Sequence, residues 1–227
     1  ELIDRIKDSA KQKGTGRWAS IEALKQGVDI SMITSACTAR IMSNHLDERE
    51  KAWQLIHSPA VGLSPDKESF AAMVREALYT GKIIAYAQGF SLMQDASRLY
   101  GWNLDLGKIA SIFRAGCIIQ AVFLNDITHA FEAEPKPESL IFDGFFLSRI
   151  NEHQDSLRQA VSTGVMNGLP IPALCNAVSY LDEFRAKAAG ANLIQAQRDC
   201  FGAHTYERTD REGVFHHEWR WANDNQH

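Results

Sequence analysis

One segment of this chain is apolar on almost every side, and it constrains how the rest can fold. The segment is "IIAYAQGFSLM" (83–93), and it lies inside a longer helical pattern that covers 64–100. A helix without a polar face must be enclosed by other elements, so this segment is predicted to form the centre of the protein. Ser64 can cap the start of the helix, Pro65 suits its first turn, and Gly101 can end it.

Helical periodicity dominates most of the remaining sequence as well. The other predicted helices cover 1–12, 30–46, 105–114, 117–132, 143–167, 172–189 and 191–201. Only "GVFHHEW" (213–219) has a weak strand pattern. We therefore predict an all-α fold: a single large multi-helix domain, 1–203, followed by an extended C-terminal tail, 204–227.

The predicted tail differs in composition from the helices before it. It is polar and charged, yet it contains Tyr206, Phe215, Trp219 and Trp221. Aromatic side chains are unusual in a disordered segment, so we expect most of the tail to dock onto another surface. The last six residues are expected to be frayed.

Composition excludes several classes of function. The 227 residues have a formal net charge of −4, which argues against a general affinity for nucleic acid or for an anionic membrane surface. The four cysteines form no CxxC pair, which disfavours a zinc site or a disulfide framework and favours a reducing, cytoplasmic setting. No signal peptide is recognisable, and the apolar runs are too short to cross a bilayer. Because the chain begins with Glu1 inside a helical pattern, we expect it to be a piece of a longer polypeptide.

A basic, glycine-containing stretch near the start of the chain could bind an anion. In "KQKGTGRW" (11–18), the two glycines allow backbone N–H groups to approach an oxyanion, Thr15 adds a hydroxyl and Lys13 adds a positive charge. The order of residues differs from a Walker loop, and the stretch lacks the GxGxxG pattern of a dinucleotide site. A surface turn with incidental charge explains the same residues.

Arg40 lies within the apolar-periodic segment 30–46. A guanidinium in such a position is seldom left without a partner. Two explanations remain open at this stage: an acid such as Glu48 neutralises it, or it faces a pocket that holds an anionic ligand.

The densest group of polar residues is "IQAQRDCFGAHTY" (194–206). Arg198 can donate two parallel hydrogen bonds to a phosphate or carboxylate. A glycine break at Gly202 separates it from His204, so both side chains can converge on one ligand. The alternative is a cation that satisfies the carbonyl groups at a helix end, followed by a surface histidine.

Several stretches together resemble the C-terminal domain of the 6-phosphogluconate dehydrogenase family. The resemblance runs in order from about residue 8 to residue 208. It rests on the segments "KQKGTGRW", "ALYTGKIIAYAQGF", "FRAGCIIQAVFL", "QDSLRQAVSTGV" and "LIQAQRDCFGAHTYER".

This resemblance implies a function and a set of binding residues. The family oxidises and decarboxylates 6-phosphogluconate with NADP, without a metal, to give ribulose 5-phosphate and carbon dioxide in the pentose phosphate pathway. The residues here that match its substrate-binding positions are Lys13, Thr15, Arg40, Arg198 and His204. The general base, the general acid and most of the NADP site belong to the family's N-terminal domain, so no residue of this chain is expected to be catalytic.

The resemblance also implies a homodimer whose substrate sites are shared between subunits. Lys13 and Arg40 of one chain would then meet Arg198 and His204 of the other, and the tail would dock on the partner subunit. Two alternatives are a non-catalytic dimerisation module with a vestigial anion site and an enzyme that acts on a related β-hydroxyacid.

The chain departs from the family's usual residues at several positions, most of which are interpreted as packing changes. Cys200 stands where a tyrosine is common, beside the proposed site, and this puts the local shape of the site in question. The other departures are Arg17, Phe113, Ala115, Gln120 and Leu157.

Overall fold

A computed structural model describes residues 1–58, 62, 66–114 and 116–219. Within these residues the chain forms nine α-helices and one small two-stranded sheet, which confirms the predicted all-α class. The helices are α1 (Thr15–Gln26), α2 (Ser31–Met42), α3 (Leu46–Leu55), α4 (Lys67–Tyr100), α5 (Leu106–Ile112), α6 (Leu124–Glu132), α7 (Gly144–Met166), α8 (Pro172–Arg185) and α9 (Ala191–Gly202). Short 3-10 turns cover Ile3–Arg5 and Leu140–Phe142.

The predicted central helix is α4, whose 34 residues make it the longest helix. Asp66 caps its start, because the side-chain Oδ1 accepts hydrogen bonds from the backbone N–H groups of Glu68 and Ser69. Ser64 and Pro65, the predicted start, lie outside the described residues. The helix ends at Gly101, whose φ of 64° is the left-handed conformation expected of a glycine at this position.

The core forms where α4 packs against α7. Ile83, Ile84 and Phe90 of α4 are buried, and Phe146 and Leu157 of α7 are buried with them. Burying one large apolar side chain stabilises the folded state by about 1.5–3 kcal/mol relative to leaving it in water. This seam, which buries several of them, therefore contributes strongly to stability.

An aromatic cluster closes one side of that seam. The ring of Phe123 lies edge-on to three neighbours, with centroid distances of 5.6 Å to Tyr79, 5.4 Å to Tyr86 and 5.8 Å to Phe146. Edge-to-face pairs contribute beyond the area that they bury. The cluster therefore fixes the start of α6 against α4 and α7.

A buried amide links α4 to α2. The side chain of Gln88 is fully buried, and its Oε1 accepts a hydrogen bond from Met32 N at 3.1 Å while its Nε2 donates to Ser31 Oγ at 3.2 Å. A Cβ at Gly81 would lie 2.8 Å from Leu174 Cδ2 and 3.3 Å from Met32 Cε, so α2 and α8 both approach α4 at this glycine. These contacts set the position of α2.

Four of the predicted helices differ from the structure by four residues or more, and one of them, 172–189, already ends at Arg185. The segment 1–12 contains only the turn Ile3–Arg5, and its later residues are held in an irregular path by hydrogen bonds to Ser43, at the end of α2, and to Arg49 of α3. The predicted helix 30–46 ends at Met42, and α3 begins at Leu46. The predicted helix 117–132 starts only at Leu124, and turns occupy the residues before it.

Contacts divide the chain into two compact units. The first is Glu1–Tyr180, and the second begins at Leu181. The boundary that we predicted at residue 203 is a different division, and it stays a prediction. In the second unit, β1 (Tyr206–Glu207) pairs antiparallel with β2 (Val214–Phe215), which confirms the weak strand pattern in 213–219.

Some expectations fall outside the part of the chain that the structure describes. They concern Ala115, Trp221 and the last six residues. Among the described helices, none has the length and apolar character needed to cross a membrane.

Two glycines of α7 provide a matched test of this packing. A Cβ at Gly164 would lie 2.4 Å from Ile171 Cδ1, whereas a Cβ at Gly144 would meet nothing within 4 Å. We expect Gly164→Ala to lower the free energy of unfolding by about 1–3 kcal/mol, because the added methyl overpacks the site. Gly144→Ala should change it by less than about 1 kcal/mol.

Chemical denaturation of both variants measures these values. Adding Ile171→Val to Gly164→Ala removes the Cδ1 atom and should restore part of the lost stability. Equal effects of the two glycine substitutions would contradict the proposed contact.

Candidate functional site

The basic stretch near the start of the chain forms the N-terminus of α1. Gly14 is the N-cap residue, and its φ of 101° is accessible to glycine but strained for other residues. Among the described residues no side chain is hydrogen-bonded to this end of the helix, so the first N–H groups of α1 are available to an anion. Lys13 precedes the cap and Thr15 is the first helical residue, and both are exposed. The structure thus places the predicted anion cradle at a helix N-terminus.

Gly16 and Cys37 hold α1 close to α2. A Cβ at Gly16 would lie 3.6 Å from Cys37 Cβ, and the Cys37 thiol donates a hydrogen bond to Gln12 Oε1 at 3.1 Å. One turn further along, the hydroxyls of Ser20 and Thr34 are 3.0 Å apart. Because Gln12 immediately precedes Lys13, these contacts anchor the cradle to α2.

The segment before the cradle is tied to the C-terminal end of α2. Ala10 N donates to Ser43 Oγ at 2.9 Å, and Ser9 Oγ donates to Asn44 Oδ1 at 2.7 Å. Asn44 Nδ2 in turn donates to the carbonyl oxygens of Ala10 and Arg40. The chain that leads to Lys13 therefore runs along the helix that carries Arg40.

Arg40 lies three residues after Cys37 on α2, and its side chain is exposed. The structure does not support neutralisation by Glu48, because that carboxylate is 2.9 Å from His45 Nδ1. Within the described residues, the guanidinium of Arg40 has no ion-pair partner. An exposed guanidinium on the helix that packs against the cradle is suited to an anionic ligand from outside.

The second group of cations lies in the second unit, on α9 and the turn after it. Arg198 Nη1 donates to Gln195 Oε1 at 3.0 Å, and Gln195 Nε2 donates to Thr205 O at 2.6 Å. Arg198 and His204 are both exposed. Since the glutamine joins the helix to the turn, it links the arginine to the segment that holds the histidine.

Gly202 determines where the ring of His204 lies. A Cβ at Gly202 would be 3.0 Å from both Cδ2 and Nε2 of His204, a distance that real Cβ atoms seldom show. The imidazole therefore packs over the glycine at the end of α9. The break that we predicted at Gly202 falls one residue later, at Ala203 with a φ of 51°, and Gly202 instead provides room for the histidine.

Sequence reasoning missed Asp199, which organises this region. Its side chain is fully buried, with 0% exposure, and its two oxygens accept four hydrogen bonds. Oδ1 accepts from Thr205 N (2.9 Å) and His216 Nδ1 (2.9 Å), and Oδ2 accepts from His217 N (3.1 Å) and Trp219 Nε1 (2.8 Å). The sequence does show an acidic residue next to Arg198. Its role could not be read from the sequence, because the donors to Asp199 lie up to 20 residues further along the chain.

These contacts also bear on the tail. Burial alone would raise the pKa of Asp199, but the hydrogen bonds from His216, His217, Trp219 and Thr205 together lower that pKa well below its usual range. The tail up to Trp219 therefore docks on the α9 of its own chain through a carboxylate that stays charged. Docking on a partner subunit stays a prediction.

Two of the positions where the chain departs from the family that it resembles, Arg17 and Cys200, lie on α1 and α9 within these groups. The guanidinium of Arg17 lies near Gly14, since a Cβ there would be 3.6 Å from Arg17 Nη2. Cys200 is a free thiol and partly buried. The described residues contain no group of three or more His, Cys, Asp or Glu side chains that could hold a metal ion.

The lowered pKa of Asp199 predicts that the tail stays docked in mild acid. Stability from this carboxylate is fully present above the unfolded aspartate pKa of about 4, and it is lost only as the pH falls through the lower folded value. The indole N–H resonance of Trp219 should therefore keep its position from about pH 5 to about pH 3.5 in an NMR titration. In Asp199→Asn it should already be displaced at pH 5, and identical spectra for the two proteins would contradict the assignment.

Comparison with known proteins identifies the family. A family model described as "6-phosphogluconate dehydrogenase, C-terminal domain" matches residues 1–219. The decarboxylating 6-phosphogluconate dehydrogenase of Lactococcus lactis subsp. lactis (strain IL1403) is 47% identical over 218 residues, which are 96% of this chain and 46% of that protein. The corresponding protein of Staphylococcus aureus (strain N315) is also 47% identical, over 96% of this chain and 47% of its own length.

A solved structure shows the same fold. The 6-phosphogluconate dehydrogenase of Plasmodium falciparum, described in its apo form and in complexes with its cofactor NADP+ and its substrate 6-phosphogluconate, matches with a TM-score of 0.90 and 40% identity. The match covers 96% of this chain and 47% of that one, so the chain spans about half the length of the relatives it matches. The chain belongs to the 6-phosphogluconate dehydrogenase family, and it corresponds to the C-terminal domain of that family.

Proposed function

We propose that this chain is the substrate-binding and dimerisation domain of an NADP-dependent 6-phosphogluconate dehydrogenase, which converts 6-phosphogluconate to ribulose 5-phosphate and carbon dioxide in the pentose phosphate pathway. The observation that carries the proposal is the exposed cation of Arg40 on α2, the helix that packs against the start of α1 through Cys37, where the N-cap Gly14 supplies no side-chain cap. Similar relatives named for this activity support it.

The proposed ligand of these residues is the phosphate of the sugar. A phosphate monoester carries about two negative charges near neutral pH, so several convergent donors are needed to hold it. Lys13 supplies a compact charge, Thr15 a hydroxyl and Arg40 a planar fork of N–H donors. Arg198 and His204 complete the proposed set from the other cationic group.

In this proposal the chain positions the substrate and does not carry out proton transfer. Fixing the phosphate end of the sugar converts remote binding energy into alignment of the carbon that is oxidised. The general base and the general acid are proposed to lie in the half of the polypeptide that this chain does not include. None of the five binding residues takes over these roles.

The cofactor is proposed to be NADP, bound mainly by the same other half. The glycines at 14 and 16 open a helix, but no strand precedes them and they lack the GxGxxG spacing, so they do not fit a dinucleotide. When bound, NADP+ accepts the hydride. No metal is proposed. The four cysteines are free thiols, which is consistent with the cytoplasmic setting that we propose.

We propose that the protein is a homodimer whose sites are shared between subunits. Leu193, Ile194 and Phe201 of α9 are 64%, 60% and 73% exposed, on the helix that also carries Arg198. Apolar side chains grouped on one helix indicate a surface that another protein covers. If a second subunit covers α9, its Lys13 and Arg40 can meet Arg198 and His204 of this chain.

A second candidate function is a dimerisation module whose anion site is vestigial. The same exposed apolar side chains on α9 favour dimerisation without requiring catalysis. The uncapped helix, the unpaired guanidinium of Arg40 and the arranged turn at His204 argue against loss of the site. Titration of the protein with 6-phosphogluconate in a calorimeter separates the two candidates, because the vestigial site predicts no heat of binding.

The proposed contacts predict how substitutions change substrate affinity. In the full-length protein that carries this chain, Lys13→Ala and Arg198→Ala should each raise the KM for 6-phosphogluconate by about 10–100-fold, because a charge-assisted hydrogen bond to phosphate is lost. Steady-state reduction of NADP+ measures this effect. Lys25→Ala is the matched control, since Lys25 lies at the other end of α1 and pairs with Glu22 of the same helix, at 3.8 Å. Unchanged KM values in both test variants would remove these residues from the site.

A shared site predicts that two variants with weakened substrate binding restore activity at low substrate concentration when their subunits are mixed. In a mixed dimer of Lys13→Ala and Arg198→Ala subunits, one site keeps both native residues and the other site loses both. Random mixing should therefore recover about a quarter of the wild-type sites, as expected for two-fold symmetry. The measurement is NADP+ reduction at low substrate concentration after dissociation and reassociation. No recovery in verified mixed dimers would show that each site belongs to one subunit.

A further inference from the structure

Both ends of the turn that carries His204 are hydrogen-bonded to the same residue. Ala203 N donates to the backbone oxygen of Asp199 at 2.9 Å, and Thr205 N donates to its side-chain Oδ1, also at 2.9 Å. His204 lies between these two anchored residues. Its backbone position is therefore set by Asp199 and not by the helix alone.

The turn needs such an anchor because its backbone is strained. Ala203 has a φ of 51° and Thr205 a φ of 64°, which is the left-handed region, although neither residue is glycine. Conformations of this kind persist only where surrounding contacts hold them, and they are common at ligand-binding sites. Without the bond from Thr205 N to the carboxylate, the turn is expected to relax and the imidazole to move.

Arg198 is connected to the same turn by a second path. Its Nη1 donates to Gln195 Oε1, and Gln195 Nε2 donates to Thr205 O. The N–H and the C=O of Thr205 are thus both bonded, one to Asp199 and the other to Gln195. Both proposed phosphate-binding side chains depend on the position of one residue, Thr205.

The remaining hydrogen bonds of Asp199 come from the tail. His216 Nδ1, His217 N and Trp219 Nε1 donate to the carboxylate, which then has two donors on each oxygen. A fully buried carboxylate with four donors has no free lone pair directed at a ligand. Its role is therefore to hold other groups in place and not to exchange a proton with the substrate.

We propose that Asp199 is a positioning residue for the substrate phosphate: by joining the 203–205 turn to the tail segment 216–219, it holds His204 and Arg198 in the orientation that binds the ligand. This inference rests on the proposed function, since it concerns the same phosphate site. It adds that tail residues which do not touch the substrate contribute to its affinity.

The test is steady-state kinetics of Asp199→Asn in the full-length dimeric enzyme. The amide replaces one acceptor oxygen with a donor, so two of the four hydrogen bonds are lost. We expect the KM for 6-phosphogluconate to rise about tenfold, while kcat and the KM for NADP+ stay within about twofold. Asp210→Asn is the matched control, because it makes the same chemical change at an exposed carboxylate that pairs with Arg208.

A second variant covers the case in which Asp199→Asn does not fold. Trp219→Phe removes one donor to Oδ2 and leaves the carboxylate in place. A smaller rise in the same KM, of about twofold to fivefold with kcat unchanged, is expected. A general loss of stability would lower the amount of active enzyme and would not change the KM for one substrate alone.

The outcomes separate this inference from the proposed function. If Arg198→Ala raises the KM for 6-phosphogluconate but Asp199→Asn and Trp219→Phe keep the wild-type value, the positioning role is wrong and the proposed function stands. If the unsubstituted enzyme does not turn over 6-phosphogluconate, the proposed function fails and the inference fails with it.

Discussion

The burial of α4 is the constraint on which the rest of the first unit depends. Its residues from Ile83 to Phe90 offer no polar face to water, so α7, α2 and the aromatic residues before α6 must cover it. One polar group in this core, the amide of Gln88, is used to hold the start of α2. The same packing that stabilises the unit therefore also sets the helix that carries Arg40.

Much of the fold could be predicted from the sequence, because long periodic segments bury their apolar faces within the chain. The central helix and α7 were predicted to within three residues at each end that the structure describes. The prediction failed at 117–123, where Ile118 is 99% exposed and Val122 is 86% exposed. Because these apolar residues are exposed, they do not mark the buried face of a helix, and their periodicity predicted a helix that does not form. The prediction of a helix over 1–12 failed for a different reason. Side chains at the end of α2 and in α3 form hydrogen bonds with the backbone of this segment.

The candidate site was predictable in its residues but not in its arrangement. The glycines singled out from the sequence have local roles in the structure, since Gly14 has a φ of 101° and a Cβ at Gly202 would lie 3.0 Å from the ring of His204. Whether Arg40 was paired could not be decided from sequence, because the answer depends on where Glu48 points. Asp199 was missed since its donors are separated from it by 6–20 residues and follow no period. That the two cationic groups come together stays a prediction, and so does the second subunit that would supply one of them.

The packing around Gly81 determines how a substitution there would affect the rest of the domain. Two helices approach α4 at this point, and one of them, α2, leads to Arg40. A larger side chain at position 81 could not turn towards solvent, so it would push against α2 and displace that helix as a rigid body. A substitution in the interior of the protein would then move Arg40 without changing any residue of the proposed binding set.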